Sequence, residues 1–160
     1  MFKPLLSRLM ITVLVSGLFV HPVAAASTSV SANSPQSIVN AIQDMGYKAD
    51  VTIDSYGDPQ IRSAAHGVGF VMNFYGCTEG QECTDLQFSV AFDYPNGMDL
   101  LSMNSWNIEK VMGNAFLDAV NDPVLQHFMI QVDGMSRGTF DATFVFWVDA
   151  MGEFIEYIGW

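Results

Sequence analysis

The 160-residue chain is short of positive charge, with six Lys and Arg against 17 Asp and Glu and a formal charge of −11. Nucleic-acid binding requires cations that displace counterions, and anionic lipid headgroups repel a surface of this sign. No nucleic-acid partner is therefore expected. Histidine is equally scarce, and His66 and His127 stand in neither an H-x-H nor an H-x-x-x-H pattern. A metal site needs converging ligands, which that spacing does not supply. The sequence also lacks a D-x-D-x-D-G calcium loop, a G-x-S-x-G nucleophile elbow and a glycine-rich phosphate loop. Gly67-Val68-Gly69 is too short for the last of these and leads into strand-like residues. No catalytic set emerges, no cofactor is called for, and the expectation is a domain that is not an enzyme.

The N-terminus has the three parts of a secretory signal: Lys3 and Arg8, the twelve-residue apolar stretch Leu9 to Val20, and the small-residue site Ala24-Ala25-Ala26. Twelve residues are too few to span the hydrocarbon core, which takes about 20. Residues 1–26 are thus expected to be a cleaved leader, with a periplasmic or secreted product and no stable membrane insertion afterwards. The remaining 134 residues keep four cations, Lys48, Arg62, Lys110 and Arg137, and all 17 acids, for a formal charge of −13. Acids scattered singly along a chain give a solvated, self-repelling surface. A sharper reading of the same charge is an inhibitor of a basic extracytoplasmic enzyme.

Cysteine is limited to Cys77 and Cys83. In an oxidising compartment this pair reads as a structural disulfide. Closing so short a loop stabilises by roughly 2 kcal/mol on a chain-entropy estimate. The alternative is a redox pair, disfavoured by five intervening residues and by Glu79 and Glu82, which raise the cost of a thiolate.

Residues 27–35, mostly Ser, Thr, Ala and Asn, read as a flexible tether before a single domain over 36–160. Pro35 then opens a helix with Ile38, Val39, Ile42 and Met45 on one face and Gly46 at its end. From Ala49 the period changes to two. Val51 and Ile53, Ile61 to His66, Phe70 to Phe74 and Leu86 to Phe92 form four strands separated by turn residues. The two cysteines bracket the connection between the third and fourth. After Pro95-Asn96-Gly97 a second helix is predicted from Ile108, Val111, Met112, Ala115, Phe116, Ala119 and Val120, with Ser105 or Asn107 as cap and Asp122-Pro123 as stop. Phe128, Ile130 and Val132 alternate as a further strand. In the last segment, from Ser136 to about Ile158, the middle from Thr139 to Val148 is rich in strand-favouring residues, but Phe140, Phe144, Trp147, Met151, Phe154 and Ile158 form one helical stripe, and its length decides for helix. The order gives an α+β domain: an antiparallel sheet with helices packed on one face.

Met45-Gly46-Tyr47, Gly57-Asp58-Pro59-x-Ile61, Phe74-Tyr75-Gly76-Cys77 with Cys83, Leu86-Gln87-Phe88, Asn104-x-Trp106-Asn107, Ala115-Phe116-Leu117-Asp118 and Asp122-Pro123-x-Leu125 together resemble the YbjN family. The likeness runs from about residue 37 to 158. It implies a fold similar to type III secretion chaperones, a sensory or regulatory role, and no catalytic residue. It further implies a protein partner held in apolar grooves; a homodimer is one form of such binding. Trp106, Met112, Phe116 and Trp147 are the candidates for the exposed surface, because the aromatic residues and the ten methionines exceed what one small core needs. The competing class is a small-molecule or metal-binding sensor with a pocket near His66 or His127.

Overall fold

A computed structural model describes residues 29–160; the expected leader, residues 1–26, lies outside the described residues. In chain order the elements are β1 (Ser29–Val30), α1 (Pro35–Asp44), β2 (Ala49–Ile53), β3 (Pro59–Ala65), β4 (Val68–Tyr75), β5 (Asp85–Ala91), α2 (Leu100–Glu109), β6 (Asn114–Leu117), β7 (Pro123–Ile130), β8 (Met135–Ser136) and α3 (Arg137–Ile158). Strands β2 to β7 form one sheet in the order β2-β3-β4-β5-β7-β6, and every neighbouring pair is antiparallel. The expected α+β class is the observed one.

Alternation along the strands decides where the core sits. Ile61, Phe70, Met72, Phe74, Leu86, Phe88 and Val90 point to one face and are buried there. The α3 stripe lies on that face, with Phe144 and Trp147 against Phe70 and Phe88, and Phe154 against Phe92. Ile38, Val39 and Ile42 of α1 and Met103 and Trp106 of α2 enter the same core. The long helix begins where expected: the Ser136 hydroxyl accepts from the Thr139 amide, and Gly159 ends it in the left-handed region at φ 71°.

Three expectations are corrected. The second helix runs over Leu100–Glu109, not from Ile108 onward. Asp99 caps it by accepting from the Leu101 and Ser102 amides, so Ser105 and Asn107 lie inside it. The helix cannot continue through Gly113, which has φ 78° and sits so close to Leu125 that a Cβ there would lie 2.8 Å from the leucine Cδ1. The following residues become β6, joined to β7 by a turn in which the Asp118 carboxylate accepts from the Val120 and Asp122 amides.

The predicted tether is the second correction. Ser29 and Val30 pair with Ser136 and Met135, and Val30 and Ala32 are fully covered. Their small apolar side chains are enough to seat the segment beside α1 and the start of α3, despite its polar composition. The third concerns β7. Phe128, Ile130 and Val132 mark the strand in the sequence, but β7 runs over Pro123–Ile130, so Val132 lies beyond it; Phe128 and Ile130 face solvent, while Leu125 and Met129 face the core. Pairing with β5 sets this phase, because Met129 lies opposite Leu86 and Leu125 opposite Val90.

Candidate interaction surface

The four residues expected to form a surface do not come together as one. Trp147 is fully buried and stacked on Phe88, with ring centroids 5.2 Å apart. Trp106 is also core: its Nε1 donates to the Gly113 carbonyl at 3.0 Å and its ring meets Phe154 edge-on. Met112 is half-buried in the α2–β6 turn, and Phe116 alone is exposed, at 40 %. Both tryptophans sit on stripes that point inward, so their size serves packing.

His66 and His127 do not converge either. His66 occupies the β3–β4 turn, with Nε2 3.0 Å from the Val148 carbonyl of α3. It borders a cavity of about 390 Å³ with Asp149, Gly152 and Glu153. His127 is on β7, opposite Phe88, and burial holds its pKa below the ordinary histidine value. Strands β4 and β5 separate the two rings. Among the described residues no group of three or more His, Cys, Asp or Glu is placed to hold a metal ion.

The outer face of the sheet is different in kind. Ile38, Val39 and Ile42 of α1, Met103 and Trp106 of α2 and the Phe140-to-Ile158 stripe of α3 are buried on the inner face, and most outward residues of the six strands, Val124 excepted, stay partly or fully exposed. One row runs Asp50, Arg62, Val71, Ser89, Gln126, Asn114, and the next runs Thr52, Gln60, Asn73, Gln87, Phe128. Within the strands, this face carries only three charged side chains, Asp50, Arg62 and Asp85, in a chain with 17 acids. Its amides satisfy one another: Gln60 Nε2 donates to Asn73 Oδ1 at 2.9 Å, Gln87 Nε2 to Gln126 Oε1 at 3.3 Å and Gln126 Nε2 to Ser89 Oγ at 3.2 Å. A polar surface bonded to itself is less costly to strip of water than one bonded to solvent.

Apolar side chains gather at one corner of this face. Tyr75 and Phe128 have ring centroids 6.1 Å apart, the Tyr75 hydroxyl is fixed on Gln87 Oε1, and Ile130 is 72 % exposed beside them. Towards the opposite end, Arg62, Gly69, Val71, Ser89 and Ala91 line a shallow cavity of about 350 Å³. The alternation of β7 was visible in the sequence. Which of its two faces turned outward depended on pairing with β5, which no local pattern encodes.

The disulfide Cys77–Cys83 closes the connection between β4 and β5 at the Tyr75 end of the face, with Cys83 buried. It fixes how those two strands end, and hence where Tyr75 and Asp85 stand. Among the described residues no helix is long and apolar enough to cross a membrane.

The architecture is therefore that of an α+β domain with one helix-covered and one bare sheet face. The chain belongs to the YbjN family, described as "Putative bacterial sensory transduction regulator", whose match covers residues 34–160. No curated protein matches the chain. The family description fits a regulatory or protein-interaction role.

Proposed function

We propose that this chain is an exported, non-enzymatic protein-interaction domain with a chaperone-like or regulatory task, and that it holds its partner on the bare face of the sheet around Tyr75, Phe128 and Ile130. One observation carries the reading: a strongly acidic chain keeps its charge off one broad face and exposes aromatic and aliphatic side chains there. Apolar patches of this kind on small domains are where partners dock, and charge-depleted centres with aromatic anchors are typical of protein contacts. The leader-like segment at residues 1–26 supports export, and a disulfide suits an oxidising compartment.

The test is site-specific photo-crosslinking in bacterial cells, with a benzoylphenylalanine probe at Phe128 compared with one at Val145, which is exposed on α3. The reading expects a discrete protein adduct from position 128, recovered in the periplasmic fraction and lost when Ile130 is changed to Asp. Equal labelling from both positions would remove the assignment of the face. Adducts confined to the cytoplasmic fraction would remove export.

A further inference from the structure

The sheet has two edges, and the fold treats them differently. Strand β6 is closed: Asn107 of α2 places its side-chain amide against Ala115, donating Nδ2 to the Ala115 carbonyl at 2.9 Å and accepting the Ala115 amide on Oδ1 at 2.7 Å. A side chain thus occupies the place where another strand would pair. Among the described residues, strand β2 has no such cover at Val51 and Ile53. The Asp54 amide bonds the Asp58 carbonyl, which fixes the ladder phase: residues 50, 52 and 54 bond inward to β3, while 49, 51 and 53 direct their backbone groups outward. The Ala49 carbonyl is met by Gln43 Nε2 at 2.9 Å. Val51 and Ile53, 44 % and 59 % exposed, stand at the open edge.

Open edges are templates for a further strand, and charges along them ordinarily prevent it. Here the charges select one partner. The segment reads Lys48-Ala-Asp50-Val51-Thr52-Ile53-Asp54. In a two-fold antiparallel pairing centred on Val51, each Lys48 stands opposite the second copy's Asp54, Asp50 opposite Thr52, and Ala49 opposite Ile53. A shift to the next register in one direction puts Asp50 against Asp54, and in the other Asp50 against itself; like charges placed directly opposite are destabilising. Lys48 has no carboxylate partner among the described residues, whereas Lys110 and Arg137 are both paired. Both amide bonds of the Asp54 carboxylate go to Oδ1, leaving Oδ2 for a lysine.

From this juxtaposition we infer that the occupant of the β2 edge is a second copy of this chain, the two six-stranded sheets joining edge to edge into one of twelve strands. Lys48 and Asp54 fix the register and Val51 marks the two-fold axis. The inference does not rest on the partner proposed for the bare face, which stays open on both copies and runs continuously across the join.

Sedimentation velocity of the purified protein reads the oligomeric state. A dimer is expected that becomes monomeric in Val51→Pro. Proline there removes only an outward amide and leaves the β3 ladder whole. A Val51→Cys variant is expected to oxidise to a covalent dimer, since its two-fold mate stands about 5.5 Å away between Cα atoms, inside disulfide range. Thr52→Cys, on a diagonal of roughly 7–8 Å, is expected to stay unlinked. The native cysteines are paired and do not interfere. A chain that sediments as a monomer at every concentration overturns the inference, as does a dimer untouched by Val51→Pro with native circular dichroism. If the proline variant fails to fold, the cysteine pair decides: equal cross-linking of both variants, or of neither, overturns the Val51-centred register. A monomer that instead takes an added extended peptide at β2 overturns self-pairing.

Discussion

Asn107 shows how much one side chain settles here. Its amide is, among the described residues, the partner of both backbone groups of Ala115, a residue only 4 % exposed. Replacing Asn107 with Leu leaves a buried donor and acceptor unpaired, at about 1–3 kcal/mol for each group so stranded. We expect a loss of about 2 kcal/mol or more in urea denaturation. Asn107→Asp should fall between, since a carboxylate accepts the Ala115 amide but cannot donate to its carbonyl. His127 makes a second test at this scale. Burial depresses its folded-state pKa, so the unfolded chain binds the proton more readily and stability must fall with acid. The decline should begin near the unfolded value of about 6.5 and continue as pH passes down through the folded value. His127→Gln should flatten the melting temperature over that window, while a slope identical to wild type would assign it to other groups.

At the scale of elements, α1, the four-strand meander and α3 were legible because local signals agreed. Pro35 and Gly46 bracket α1, turn residues separate the strands, and the α3 stripe runs from Phe140 to Ile158 within a 22-residue helix. The segment 100–120 was not legible. Val111, Ala115 and Phe116 keep helical spacing, but Gly113 against Leu125 and the pairing of residues 114–117 with β7 override it. The two readings make opposite predictions for Gly113→Ala. Within a helix the change would stabilise by about 1 kcal/mol. At a left-handed position pressed on Leu125 it should destabilise by about 2 kcal/mol or more, from the backbone cost and the crowded methyl together. Denaturation of that one variant distinguishes them. The candidate surface was illegible for a related reason: Phe116 is exposed on a strand where a helix was read, and Trp106 and Trp147 could be placed inside only once their helices had been set against the sheet.

Over the whole molecule, charge and cover are distributed unequally. The described residues carry all 17 acids and four cations, and their three ion pairs involve only Lys110 and Arg137, all with exposed or partly exposed partners. Such exposed pairs contribute little each and lose part of it in salt. Opposing them is the repulsion of a surplus of 13 negative charges, compressed by folding and free to spread in the unfolded chain. The repulsion acts over longer distances, so screening should remove more of it than of the pairs. Between about 0.02 and about 0.5 M sodium chloride the Debye length shortens from roughly 20 to roughly 4 Å. Melting temperature should therefore rise with salt, most steeply at the low end, where screening changes fastest. A melting temperature that falls over this range would mean that the few ion pairs, not self-repulsion, govern the electrostatic balance. The same screening should favour any assembly of two such chains, because their net charges repel while the contact edge itself alternates in sign. Dimer dissociation measured at the two salt concentrations should accordingly weaken as salt rises; strengthening would show that the Lys48–Asp54 contacts outweigh the long-range term.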